Sequence, residues 1–118
     1  MSAQPGGELH RRLVADRERT AALIESLTGN VSSILEATRS SATDDEHDPE
    51  GSTIAFERSQ ASSMLAGAER ELAELELALA RIAEGSYGRC ERCGEPIPQD
   101  RLLARPAART CVPCAGRR

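Results

Sequence analysis

Every cysteine of this 118-residue chain falls in one of two C-x-x-C pairs, Cys90-Glu91-Arg92-Cys93 and Cys111-Val112-Pro113-Cys114, with seventeen residues between them. That gap suits two knuckles from separate loops closing on one tetrahedral zinc ion. Each knuckle needs a tight turn that faces amide N–H groups toward its sulfurs, and Gly94, directly after Cys93, permits one. Four thiolates fill the coordination sphere and leave no position for water or substrate, so the metal is expected to be structural rather than catalytic. Two disulfides would suit a secreted mini-protein, but residues 1 to 30 contain no apolar signal-peptide core. A reducing cytosol is therefore the expected compartment. A thioredoxin-type redox pair would need βαβ surroundings, which the pattern lacks.

The chain is short and has one Phe, one Tyr and no Trp, so Leu, Ile, Val and Ala must build whatever core exists. Periodic helix packing together with a metal can make up the difference. No run of apolar residues is long enough for a transmembrane helix. The formal net charge of −4 hides a division: residues 1 to 85 carry eight Arg against sixteen acids, and residues 86 to 118 carry seven Arg against three. Charge of opposite sign at the two ends bears on partners, not on fold.

Residues 1 to 7, with two adjacent glycines, read as a loose terminus. From Glu8 to about Arg39 the apolar residues Leu9, Leu13, Leu23, Ile24, Leu27, Val31, Ile34 and Leu35, with Thr20, recur at three- and four-residue steps. This predicts a helix with one apolar stripe. A second helix follows, in which Ile54, Arg58, Ala61, Leu65, Ala68, Leu72, Leu75, Leu79 and Ile82 keep the a/d register of a coiled coil. Asp48-Pro49-Glu50 supplies its entry signal and Gly85 its stop. Two such helices with a short link should fold back antiparallel. The expected fold is mainly α: a long antiparallel two-helix coiled-coil hairpin over residues 8–85 followed by a small C4 zinc-finger module over residues 86–118.

The link at residues 41–52 forms the tip of that hairpin and includes Asp44-Asp45-Glu46-His47-Asp48-Pro49-Glu50, five acids in seven residues. A solvated acidic turn is the ordinary reading of such a run. An electronegative probe on a stiff arm, suited to a basic or magnesium-containing cavity, is the functional one. His47 has no second His or Cys near it in sequence and reads as an exposed side chain. In the zinc module the prolines forbid a continuous helix, predicting a knuckle, a helical turn near Asp100 to Leu103 and an extended return to Cys111. Ile97, Leu102, Leu103 and Val112 are the apolar shell expected around the metal.

The module carries Tyr87-Gly88-x-Cys90-x-x-Cys93-Gly94-x-x-Ile97-Pro98, then Arg101-Leu102-x-Ala104-x-Pro106-x-Ala108, then Cys111-x-x-Cys114. In these residues the sequence resembles the DksA/TraR family of C4 zinc-finger proteins. The resemblance implies a cytoplasmic bacterial transcription factor that binds RNA polymerase directly, without DNA, its coiled coil entering the secondary channel and its acidic tip approaching the active site. On that reading Asp44, Asp45, Asp48 and Glu50 are the probing acids, and Arg89, Arg92, Arg101, Arg105 and Arg109 are candidates for the channel rim. Arg105 matches an arginine that contacts the alarmone ppGpp in responsive relatives. The lysine expected after the last cysteine is Ala115, and the chain contains no lysine at all, which argues against ppGpp synergy.

Two other classes stand beside this one. The basic zinc module could bind nucleic acid, although no recognition helix is apparent and few aromatics could stack on bases. The hairpin could instead be a coiled-coil adaptor, with Arg58 at an apolar-register position specifying a partner. A monomer and no membrane association are expected. No enzyme is expected, since there is no open metal position, no nucleophile with a positioned base and no phosphate-cradling glycine loop.

Overall fold

The computed structural model describes residues 7–41 and 49–116, with side chains for residues 7–37 and 53–116. Among these residues four helices follow in order: α1 (Glu8–Ser41), α2 (Pro49–Glu84), α3 (Gln99–Ala104) and α4 (Val112–Ala115). No strand is found among the described residues, and a single antiparallel bridge pairs Arg89 with Pro96. The two long helices and the helical turn near Asp100 lie where periodicity and proline placement put them. The acidic residues Asp44, Asp45, Glu46, His47 and Asp48 lie outside the described residues, as does the side chain of Glu50.

The stop of α2 is explicit. Gly85 adopts φ +83, which favours a residue without Cβ. Its N–H donates to the Ile82 carbonyl at 3.1 Å, and the Ser86 N–H donates to the Arg81 carbonyl at 2.9 Å. These two bonds are the Schellman closure, which satisfies carbonyls that the helix end would otherwise orphan.

By compactness the chain divides into two units, Met1–Arg19 with Leu72–Arg118, and Thr20–Glu71. In the first unit the opening turns of α1, the closing turns of α2 and the cysteine module share one apolar cluster: Leu9, Leu13, Leu75, Ala78, Ile82, Tyr87, Cys90, Ile97, Leu102 and Cys114. Early α1 against late α2 is the pairing of an antiparallel hairpin. In the second unit Leu27 of α1 and Ala61 and Ala68 of α2 are buried, and Ile24, Val31, Ile34, Ile54 and Leu65 are half-buried. All a/d positions of α2 are buried or half-buried except Arg58, which is exposed.

The apolar stripe of α1 is narrower than its sequence suggests. Leu23 and Leu35 are 47% and 39% exposed. A single partner helix covers only one strip of a helix surface, and residues one position off that strip stay in water. Two members of the expected shell around the metal also face out, Leu103 at 42% and Val112 at 61% exposure. Leu103 neighbours the inward Leu102 on a six-residue helix, and Val112 opens α4, so neither can turn inward with its neighbour. Tyr87 takes their place at 2% exposure and is among the largest fully buried side chains, which corrects the expectation of a core without aromatic filling.

Candidate metal centre

The first knuckle is a hairpin turn. The Cys90 N–H donates to the Glu95 carbonyl at 2.8 Å, and the Gly94 N–H returns to the Cys90 carbonyl at 2.9 Å. Gly94 sits at φ +78, so the turn needs the residue that follows Cys93 to lack a Cβ. Beyond the bridge from Arg89 to Pro96, the Ile97 N–H donates to the Gly88 carbonyl at 2.7 Å and carries the chain into the core. The second knuckle is built differently. Cys111 caps α4 in an extended conformation and Cys114 lies within that helix, its turn closed by the Ala115 N–H on the Cys111 carbonyl at 2.9 Å.

Two hydrogen bonds join the knuckles, and two more anchor the loop that runs between them. The Glu91 N–H donates to the Arg109 carbonyl at 2.9 Å. Arg92 Nη1 donates to the Cys114 carbonyl at 3.2 Å, and Arg101 Nε to the Thr110 carbonyl at 2.8 Å. The Tyr87 hydroxyl donates to the Pro106 carbonyl at 2.6 Å from within the core. Its burial pushes the Tyr87 hydroxyl pKa up, against a smaller opposing effect of the Arg12 guanidinium. That bond anchors the loop returning to Cys111. Tyr87→Phe is therefore expected to lower stability by about 1–2 kcal/mol, the cost of leaving a carbonyl without its donor, as read from the urea midpoint.

The four sulfurs, Sγ of Cys90, Cys93, Cys111 and Cys114, all lie within 4.8 Å of one another. Cys93 Sγ and Cys111 Sγ are 3.8 Å apart, too far for a disulfide. A tetrahedron with zinc–sulfur bonds of about 2.3 Å has sulfur–sulfur edges of about 3.8 Å, so the quartet has the dimensions of a ZnS4 site. Cys90 and Cys114 are buried, Cys111 is half-buried and Cys93 is exposed.

The thiols differ electrostatically. For Cys90, burial opposes ionisation, but amide hydrogen bonds from Cys111, Cys93 and Arg92 and the neighbouring Cys93 thiol outweigh it and bring the thiol down to about 6. Cys114 is pushed up to about 12, chiefly by its contacts with the Cys111 and Cys90 sulfurs and then by burial. Cys90 is thus the readiest thiolate of the cluster, and a divalent cation must displace the protons that Cys93 and Cys114 hold more tightly. One structural zinc, held by these four thiolates, fits both the spacing and the dimensions of the site.

The arginines named from sequence are not scattered. Arg92, Arg101, Arg105 and Arg109 line one pocket of about 330 Å³ beside Cys114, with Glu74 of α2 and Ala115 in its wall. Arg109 Nε pairs with Glu74 at 3.2 Å and its Nη1 with Glu91 at 3.8 Å. Arg89 stands apart and donates to the Gly94 carbonyl at 3.0 Å. Arg81 was not singled out from sequence. Its side chain is only 13% exposed, and it reaches the Glu91 carboxylate at 3.7 Å and the Arg89 carbonyl at 3.0 Å. Its position as the one basic residue in the last turn of α2 was the available signal.

Residues 85–118 match the family model of the prokaryotic dksA/traR C4-type zinc finger. A protein of Aquifex aeolicus is 54% identical over 44 residues, which is 37% of this chain and 30% of that one. The RNA polymerase-binding transcription factor DksA of Caulobacter vibrioides is 49% identical over 41 residues, 35% of this chain and 29% of that one. The chain spans between 29 and 45% of the length of the curated relatives it matches. Among solved structures, transcription factor DksA2 from Pseudomonas aeruginosa aligns with a TM-score of 0.75 at 26% identity, over 91% of this chain and 77% of that one. Residues 85–118 thus match a zinc finger of the DksA/TraR C4 type, and the fold that carries them is similar to that of DksA2.

Proposed function

We propose that this chain is a bacterial transcription regulator that binds RNA polymerase through its secondary channel. The zinc-anchored base meets the channel rim through Arg89, Arg92, Arg101, Arg105 and Arg109. The acids Asp44, Asp45, Asp48 and Glu50 are the part directed toward the polymerase active site. The observation that carries this reading is the likeness to a DksA2 structure over 91% of the chain, helices as well as zinc finger. The arginine-lined pocket supports it too, since a patch of guanidinium groups held by a rigid metal site is pre-organised for an acidic protein surface.

The chain's own residues suit a binding protein that works by placement and not by chemistry. The metal site has no open coordination position. Ala115 in the pocket wall offers no cation beside Arg105, so the pocket is assigned to polymerase contact and not to ppGpp. Among the described residues no helix is long and apolar enough to cross a membrane. A monomer acting in a reducing cytoplasm completes the proposal.

The test separates docking from action. Wild-type protein is expected to be retained by core RNA polymerase, and Asp45→Asn with Asp48→Asn to be retained within about threefold of it, because rim contacts dominate affinity. The double variant is expected to lose the effect on initiation in a reconstituted transcription assay. Equal effects of wild type and variant would reject the role of the acids, and failure of both to bind would reject the proposal.

A further inference from the structure

The second unit leaves large apolar side chains in water that its own two helices do not cover. Phe56 is 67% exposed and Met64 is 53% exposed, one turn to either side of Gln60 on α2. Between the helices runs a groove of about 230 Å³, its α1 wall made by Leu27, Asn30 and Ile34 and its α2 wall by Glu57, Gln60, Ala61 and Met64. The small side chain of Ala61 sets its depth, and Met64 is a flexible, polarisable wall of the kind found at binding surfaces. A trough of this mixed lining, open along two antiparallel helices, has the form that receives a third amphipathic helix.

Charge decides what such a helix must be. Among the side chains described in this unit, the five acids Glu25, Glu36, Glu57, Glu69 and Glu71 stand against two arginines, Arg58 and Arg70, a formal charge of −3. Glu57 lies in the groove wall itself, and Glu25 and Glu36 are exposed on α1. A second copy would bring an equally negative surface against this one, so like charges oppose self-pairing. A helix with Lys or Arg beside its apolar stripe meets the opposite condition at every one of these carboxylates.

We propose that this groove seats a basic amphipathic helix of the protein partner, with its apolar stripe on Met64 and the half-buried Ile34 and its cations on the acidic rim. Assigning that helix to the polymerase rests on the function proposed above. The chemistry of the groove does not.

Two arms keep the claims distinguishable. The first probe is a fluorescent Leu/Lys peptide of about five helical turns with amphipathic spacing, compared with a Leu/Glu peptide of the same pattern. Wild-type protein is expected to bind the Leu/Lys peptide only, and Met64→Glu to weaken it at least tenfold. Met64→Ser, which adds no charge, is expected to weaken it several-fold, with circular dichroism confirming the fold of both variants. The second arm measures retention by core polymerase, where Met64→Glu is expected to cause a similar loss. Binding of neither peptide by the wild type would overturn the proposal, as would a Met64-dependent homodimer in sedimentation. Polymerase binding unchanged by Met64→Glu would overturn the seating of a polymerase helix. Peptide binding that depends on Met64, with no polymerase binding at all, would uphold the groove and sink the proposed function.

Discussion

Stripping zinc from this protein is expected to unfold more than the cysteine module. Cys90 and Cys114 belong to the same buried cluster as Leu9 and Leu13 of α1 and Leu75, Ala78 and Ile82 of α2. Structural zinc in finger peptides is worth about 10–16 kcal/mol at neutral pH, whereas a whole domain is stable by about 5–15 kcal/mol. Removing the first term leaves nothing to hold the second. A strong chelator should therefore abolish amide protection in residues 8–19 and 72–84 together with residues 85–116, read by hydrogen exchange. Cys90→Ser should do the same at any zinc concentration that loads the wild type. Loss confined to residues 85–116 would show that the shared cluster does not couple the helices to the metal. The same site should bind zinc more weakly as pH falls. Cys114, pushed up to about 12, must give up a proton to the metal, and Cys90, held near 6, recovers its own only below that value. Protons therefore favour the unloaded form, and affinity should drop about tenfold per pH unit for each proton released.

What the amino-acid order revealed, and what it hid, follows from the range over which each feature is determined. The zinc quartet is legible because a metal fixes the chemistry and spacing of its ligands locally. The second helix is legible because its a/d positions repeat without interruption and Pro49 and Gly85 punctuate it. Helix α4, four residues long, is too short to show a periodic apolar signal. Proline at the first positions of a helix removes an N–H that has no acceptor anyway, and α4 uses that allowance. Tyr87 gave no periodic signal as an isolated aromatic, and its burial depends on a carbonyl nineteen residues away. The exposure of Leu23 and Leu35 was hidden for a related reason. A stripe read from one helix says which face is apolar, not how much of it a partner will cover.

The second large effect separates two leucines that look equivalent in sequence. Leu13 has no solvent exposure and Leu23 is 47% exposed, though both sit on the apolar stripe of α1. Cutting Leu13 to Ala removes buried methyl groups and leaves a cavity in a cluster that also contains two metal ligands, so a loss of about 2–5 kcal/mol is expected. Leu23→Ala removes groups already partly in water and should cost less than about 1 kcal/mol. The contrast is sharper than a stability ranking, because Leu13 also bears on the metal. If the opening turns of α1 close the core around Cys90 and Cys114, Leu13→Ala should weaken zinc affinity measured against a competing chelator, while Leu23→Ala leaves it unchanged. Arg12, one residue before Leu13, donates to the Leu103 carbonyl and fixes α1 against α3 at the same level. A Leu13→Ala protein that loses stability yet holds zinc as tightly as the wild type would mean that α1 packs beside the module without supporting its metal. Equal losses at both leucines would mean that the apolar stripe contributes as a whole, with no special part played by the turns that meet the zinc-bearing core.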